Sequence, residues 1–227
     1  MNNRPLVSVL MAVYNVGQYI RKSCERVFSQ TYDNYEVIIV NDGTPDDSIE
    51  IVRGMLDGKF AHLKDRVRII DQENQGLPAA RRTGLAHARG EYVIQFDPDD
   101  WVSERILEKM VAAAVKNDAD IVICNYFNVY RFWRVLRREK YYPDKLDCLD
   151  AMFSHRHFRA YMWDKLVRRS LYEGSLWTPR YAMCEDMMTI SQLILKANKI
   201  RHIRNHLYYY NRVNATSISN EIGRAHV

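Results

Sequence analysis

A chain of 227 residues that is 47% hydrophobic and 27% charged can bury the core of one large domain. It has no run approaching the roughly 20 apolar residues of a membrane span, and Cys24, Cys124, Cys148 and Cys184 are too scattered for a zinc site or a disulfide frame. The net charge of +5 suits an anionic partner, which leaves phosphate-bearing nucleotides, nucleic acid and an acidic membrane surface open.

The first half alternates between strand and helix. Leu6 to Val13 is a continuous β-rich run, followed by helical character from about Val16 to Gln30. Tyr35 to Val40 predicts the next strand, ending in Asn41-Asp42-Gly43, and Asp46 or Asp47 caps a helix to about Leu56. A strand over Arg66 to Ile70, a helix over Leu77 to Ala88 and a strand over Glu91 to Phe96 complete this half. Solid apolar strands separated by helices indicate an α/β fold, with a mostly parallel sheet covered on both faces. Ligands of such sheets bind outside the carboxyl ends of the strands, where Tyr14-Asn15, Asp42-Gly43 and Asp97 to Asp100 fall.

Asp97-Pro98-Asp99-Asp100 packs three carboxylates into four residues at the mouth of a strand. Their mutual repulsion is relieved by a hard cation, Mg²⁺ or Mn²⁺, which takes one or two carboxylates and fills its remaining positions with water and phosphate oxygens. A solvated Asp-rich turn capping a following helix is the plain alternative. Neither a GxGxxG fingerprint nor a Walker lysine loop is present, so a metal is what remains to hold a diphosphate.

The second half is less regular. A helix from about Ser103 to Lys116 precedes the strand Ile121 to Tyr126; a helix from about Asp186 to Ala197 precedes the run Ile200 to Tyr210. Between Arg131 and Lys140 lie Arg134, Arg137 and Arg138, interleaved with Phe132, Trp133, Val135 and Leu136. At helical spacing this predicts an interfacial helix able to touch an anionic membrane, or an amphipathic segment packed on the domain. Glu221 to Val227 read as a non-native tail. Residues 1–220 then read as one domain, with a regular half over about 1–101 and a less regular half over about 102–220. The start has no h-region, which predicts a cytoplasmic protein; the Asn214-Ala-Thr216 sequon is then only formal.

From Leu6 to Ser219 the chain resembles family 2 glycosyltransferases of the GT-A fold, of the kind that build bacterial cell-surface glycans. The motifs occur in the family's order: Val7 to Asn15, Glu36 to Thr44, Asn74 to Arg81 with Gly84, Phe96 to Trp101, Trp163 to Leu166, Cys184 to Asp186 and Tyr208 to Arg212. The resemblance implies a Rossmann-like sheet with an acceptor-side C-terminal region, and transfer of one sugar from a nucleoside-diphosphate donor, UDP first among them, to a glycan or lipid-linked acceptor. No nucleic acid partner is implied.

By the same resemblance Ala12, Tyr14 and Asn15 line the nucleotide pocket and Asp42 accepts from the base. Gly76, Arg81 and Arg212 lie near the diphosphate. Asp97 meets the ribose or sugar, Asp99 binds the metal with Asp97, and Asp100 assists it or holds the loop. Asp186 is the catalytic base, oriented by Glu185, and direct displacement with one base inverts the anomeric carbon. Trp163 and Lys165 pack beneath the donor site. Arg82 stands where the family commonly has Asn, and the processive Gln-x-x-Arg-Trp signature is absent. A nucleotidyltransferase, or a non-catalytic nucleotide-sugar or glycan-binding module, are the other classes compatible with an α/β fold rich in carboxylates.

Overall fold

The computed structural model describes residues 4–140, 142, 144–154, 158–174 and 184–214. Four parallel strands form one side of the sheet: β1 (Val7–Val13), β2 (Tyr35–Asp42), β3 (Val67–Gln72) and β4 (Tyr92–Gln95), in the order β3-β2-β1-β4. β1, β2 and β4 are almost wholly buried because helices cover both faces, whereas the edge strand β3 carries Arg68, Asp71 and Gln72 and buries only Val67. On one face lie α1 (Gly17–Phe28), α2 (Ser48–Asp57) and α4 (Ile106–Asn117), whose buried residues join Val7, Val9, Val37 and Ile39 in the largest core. In α1, Ile20, Cys24, Val27 and Phe28 recur at helical spacing and point inward.

The opposite face carries α3 (Leu77–Ala86) against Leu10, Ile38, Val40 and Val93. Ala80 and Gly84 let this helix sit close: a Cβ on Gly84 would lie 3.4 Å from Val40 Cγ2. The close approach places Arg81, on the same helix, over the carboxyl end of the sheet.

The sheet continues with the order β8-β6-β9-β5. Here β5 is Trp101–Val102, β6 Ile121–Val129, β8 Lys165–Arg168 and β9 Ile200–Asn211. Antiparallel β8 joins the halves, pairing Ile94 with Leu166 on one edge and Ile123 with Lys165 on the other. α5 (Lys145–Phe153) and α6 (Glu185–Lys196) pack with Ile121, Ile123 and Val167. One sheet therefore runs through both halves among the described residues. The expected tail over 221–227 lies outside them, as does Thr216 of the sequon.

One alternative and one expectation need correction. The Asp97–Asp100 turn does not cap a helix; the chain enters β5, which pairs with Tyr208 and Tyr209 of β9 before α4 begins. The basic segment is not a helix either. Arg134–Arg137 is strand β7, antiparallel to the end of β6, with a tight turn closed by Tyr130 N donating to Trp133 O at 2.8 Å. The long β6 offers a free edge beyond β8, and extending the sheet along it satisfies backbone groups that an isolated helix of this length would have to satisfy alone.

Candidate functional site

The crevice is built at the carboxyl ends of β1, β2 and β4. Asp42, the last residue of β2, is 3% exposed and accepts from Gln72 Nε2 at 2.7 Å and from the backbone N–H groups of Gln75 and Gly76, each at 2.9 Å. Three of roughly four lone-pair positions are thus engaged, and the carboxylate fixes the loop entering α3. Gly76 has φ 83° and ψ 165°, a region open essentially to glycine alone. Asn15 holds φ 54°, its N–H donating to Thr44 Oγ1 at 2.8 Å, and Tyr14 beside it is half exposed. Ala12 lies with Arg81, Gln95 and Asp97 around a small void under these loops.

Arg81 is the hub. It is nearly buried, and its guanidinium reaches Asp186 Oδ1 at 2.5 Å, Asp97 Oδ1 at 2.9 Å and Glu185 Oε2 at 3.0 Å. The side chain expected near the diphosphate therefore ties the end of β4 to the start of α6. Burial alone would lower its pKa, but Asp186, Asp97 and Glu185 hold it well above the ordinary arginine value. Glu185 lies above an ordinary carboxyl: burial raises its pKa, and Arg81 only partly opposes. Asp186 also accepts from the Met162 backbone N–H at 3.3 Å, which orients its second oxygen.

Asp97 is pushed up to about 7, first by burial and then by the charges of Asp99 and Asp186, against the pull of Arg81. Asp99 is raised by burial despite accepting from Asn214 Nδ2 at 2.7 Å. Two half-hidden carboxylates two residues apart, the charge of Asp99 opposing ionisation of Asp97, fit a hard divalent ion that takes one or two protein carboxylates. Among the described residues no group of three acidic, histidine or cysteine side chains gathers tightly enough to hold an ion unaided.

Asp100 departs from the expected ligand set. Only 2% exposed, it accepts from Tyr208 Oη at 2.7 Å and from the Asn211 backbone N–H at 2.6 Å, so both oxygens face the fold. It holds the loop and is withdrawn from the metal position. Arg212 follows the end of β9, with its guanidinium 5.1 Å from the Tyr210 ring centre. Trp163 stacks on Tyr208 at 4.1 Å and Tyr161 at 4.5 Å in the core, and Lys165 is buried on Asp164 at 2.6 Å. Beside the Asp99 loop lies a cleft of about 330 Å³ lined by Tyr19, Lys22, Asp99, Trp101, Tyr130 and Arg131.

Sequence reasoning missed Asn211 and Asn214, which clamp Asp99 and Asp100: Asn211 Nδ2 donates to the Asp99 carbonyl at 3.1 Å. The one available signal was two asparagines at and just past the end of a long strand, a pattern without local meaning. Their role depends on β9 returning beside β5.

The profile of glycosyl transferase family 2 matches residues 8–173. EpsH of Bacillus subtilis is 35% identical over 94% of this chain, which spans 62% of EpsH. A cholesterol galactosyltransferase of Borreliella burgdorferi is 30% identical over 97% of this chain, which spans 63% of that protein. The chain thus spans less than two thirds of these relatives. TarS of Staphylococcus aureus, solved in complex with UDP-GlcNAc, superposes with a TM-score of 0.78 over 94% of this chain and 60% of its own, at 20% identity. That likeness shows the fold, which is GT-A.

Proposed function

Because the chain belongs to glycosyl transferase family 2, we propose that it moves a single sugar from a UDP-linked donor to an acceptor hydroxyl of a surface glycan or glycolipid, inverting the anomeric carbon. The observation that carries this reading is Arg81 joining Asp97 to Asp186. The carboxylate assigned to the donor and the one assigned to the acceptor share one guanidinium, which brings them as close together as a displacement at a single carbon needs. The UDP-GlcNAc complex of TarS supports the choice of nucleotide. The relative named for a galactosylated sterol supports a lipid among the acceptors. Four free thiols suit a reducing, cytoplasmic setting.

In this reading Ala12, Tyr14 and Asn15 flank the nucleotide, Asp42 meets the base with its remaining lone pair, and Gly76 gives the diphosphate close access to backbone. Asp186 accepts the acceptor's proton as the acceptor oxygen bonds to the anomeric carbon, while the bond from that carbon to the diphosphate breaks on the opposite face. Arg81, itself held by Glu185, and the Met162 N–H hold Asp186 in place. Asp97 and Asp99 would hold Mg²⁺ or Mn²⁺, which when bound neutralises charge on the leaving diphosphate. Asp100 keeps the loop closed on β9.

Incubation with a panel of nucleotide sugars, with Mn²⁺ and then EDTA, tests this. Release of nucleoside diphosphate from one donor, abolished by EDTA, is the expected result. Release of pyrophosphate would instead identify a nucleotidyltransferase, and nucleotide-sugar binding without turnover in the presence of acceptor glycans or lipids would identify a binding module.

A further inference from the structure

The turn joining β6 to β7 breaks a local rule. Hairpins this tight favour Asn-Gly or other residues that accept positive φ. Here Arg131 and Phe132 occupy the tip, between Tyr130 and Trp133, and neither is among the residues with positive φ. Conformational preference therefore does not explain the choice. Exposure points to what does: Phe132 is 80% exposed, Trp133 61% and Leu136 52%, a cluster of large apolar side chains facing water. Such clusters mark contact surfaces.

The charge around them has one sign. Arg131, Arg134, Arg137, Arg138 and Lys140 are all exposed. The segment's one acidic residue, Glu139, is buried; its carboxylate accepts from the Arg159 backbone N–H at 2.7 Å and its own N–H donates to Asn125. Positive charge alone is usual on an edge strand that avoids pairing with other sheets. That purpose requires no Phe and Trp at the tip. Exposed aromatic residues flanked by exposed arginines match the bilayer interface, where rings settle at headgroup depth and cations meet lipid phosphate.

We propose that the β6–β7 hairpin docks this protein on an anionic lipid bilayer, with Phe132 and Trp133 in the interfacial layer and the arginines on headgroup phosphates. Arg131 of the tip and Tyr130 before it also line the cleft that contains Asp99, so docking sets that cleft against the lipid surface. The inference deepens the transferase reading by naming a membrane as the source of acceptor, and its test is separate from turnover.

The test is sedimentation of the protein with vesicles of phosphatidylglycerol and phosphatidylcholine in equal parts, and with phosphatidylcholine alone. Binding to the first, weakened by added salt, and little to the second is expected. Removing each arginine charge lowers the partition coefficient roughly fivefold, so Arg137→Gln with Arg138→Gln loses about twentyfold or more. Phe132→Ser with Trp133→Ser loses at least about tenfold. Unchanged thermal melting and donor hydrolysis without vesicles show that the variants fold. Equal binding to both vesicles, binding to neither, or variants that bind as wild type overturns the proposal. So does a lipid-free dimer that the Phe132 and Trp133 changes dissolve, because a second copy would then cover the tip. Vesicle binding without sugar transfer leaves the docking intact and counts against the transferase reading instead.

Discussion

The two ends of the parallel sheet carry charge clusters of opposite stoichiometry. At the amino end a single buried carboxylate, Glu36, receives Ser8 Oγ at 2.7 Å, Arg68 at 3.0 Å and Arg89 through its side chain and its backbone N–H. Burial opposes its ionisation, yet the hydrogen bonds from Ser8 and Arg89 and the charge of Arg68 leave its pKa below the ordinary glutamate value. At the carboxyl end one buried guanidinium faces Asp97, Glu185 and Asp186, with Asp99 in the adjoining loop. There Asp97 and Glu185 lie above the ordinary carboxylate range. The first cluster is saturated and closes the bottom of the domain, where Gly90 N–H also binds Ser8. The second holds more negative charge than the protein neutralises. A deficit of that sign at the mouth of a parallel sheet is where a cation and the positive end of a polarised bond gain most.

The largest expected effect falls on chemistry. Asp186→Asn removes a proton acceptor while keeping shape, and turnover should drop by roughly 10²- to 10⁴-fold, measured as nucleoside diphosphate release. Donor affinity by calorimetry should hold. Unchanged turnover would mean that the carboxyl-end cluster is as structural as the amino-end one.

Next is the hub. Arg81→Met leaves three partly buried carboxylates without their shared counter-charge, and breaking a buried pair from one side costs about 3–5 kcal/mol. Denaturant unfolding measures it. Mn²⁺ should recover part of the loss, since a cation can supply some of the missing charge. The matching change below the sheet, Glu36→Gln, should cost about 1–3 kcal/mol near neutral pH and respond to no divalent ion. Its pH signature follows from the lowered pKa. Glu36 stabilises the fold fully above the unfolded glutamate range, and that contribution disappears as pH falls through its depressed folded value. Wild type and Glu36→Gln should therefore converge in acid.

How much of this was legible in the sequence differs between the halves. The strands β1, β2 and β4 were, because a parallel sheet buried on both faces writes itself as largely apolar runs, and the edge strand β3 still shows Val67, Ile69 and Ile70. The crevice was legible too, since Tyr14-Asn15, Asp42 and Asp97 to Asp99 are each anchored to a strand end. The basic hairpin was misread because Arg-Val-Leu-Arg fits helical and strand spacing over four residues; the free edge of β6 decided it, and that edge exists only in the folded sheet. Arg81's partners were hidden for a similar reason. The distance along the chain from Arg81 to Glu185 is 104 residues, and no local pattern shows that α6 begins beside α3. Asp100 looked like a ligand beside two other aspartates, and only the return of β9 shows its oxygens turned inward on Tyr208 and Asn211.

Asp97→Asn gives the smallest effect and the sharpest contrast. An aspartate raised from 3.8 to about 7 binds its proton more tightly folded than unfolded. Sign and window follow: wild-type stability falls as pH rises between those two values, then levels off. Asparagine carries no such penalty. Near pH 8 the variant should therefore be more stable than wild type, by about 1 kcal/mol after allowance for the lost contact with Arg81 and for residual solvent exposure. The gain should fade toward pH 4, the reverse of Glu36→Gln, whose deficit fades there. Mn²⁺ should invert the order, stabilising wild type and not the variant, because the repulsion that strains Asp97 and Asp99 is also what attracts the ion. Thermal melting across pH, with and without Mn²⁺, measures all of these. A variant less stable than wild type at every pH would mean that Asp97 serves the fold as Glu36 does, and that the carboxyl-end charge is balanced after all.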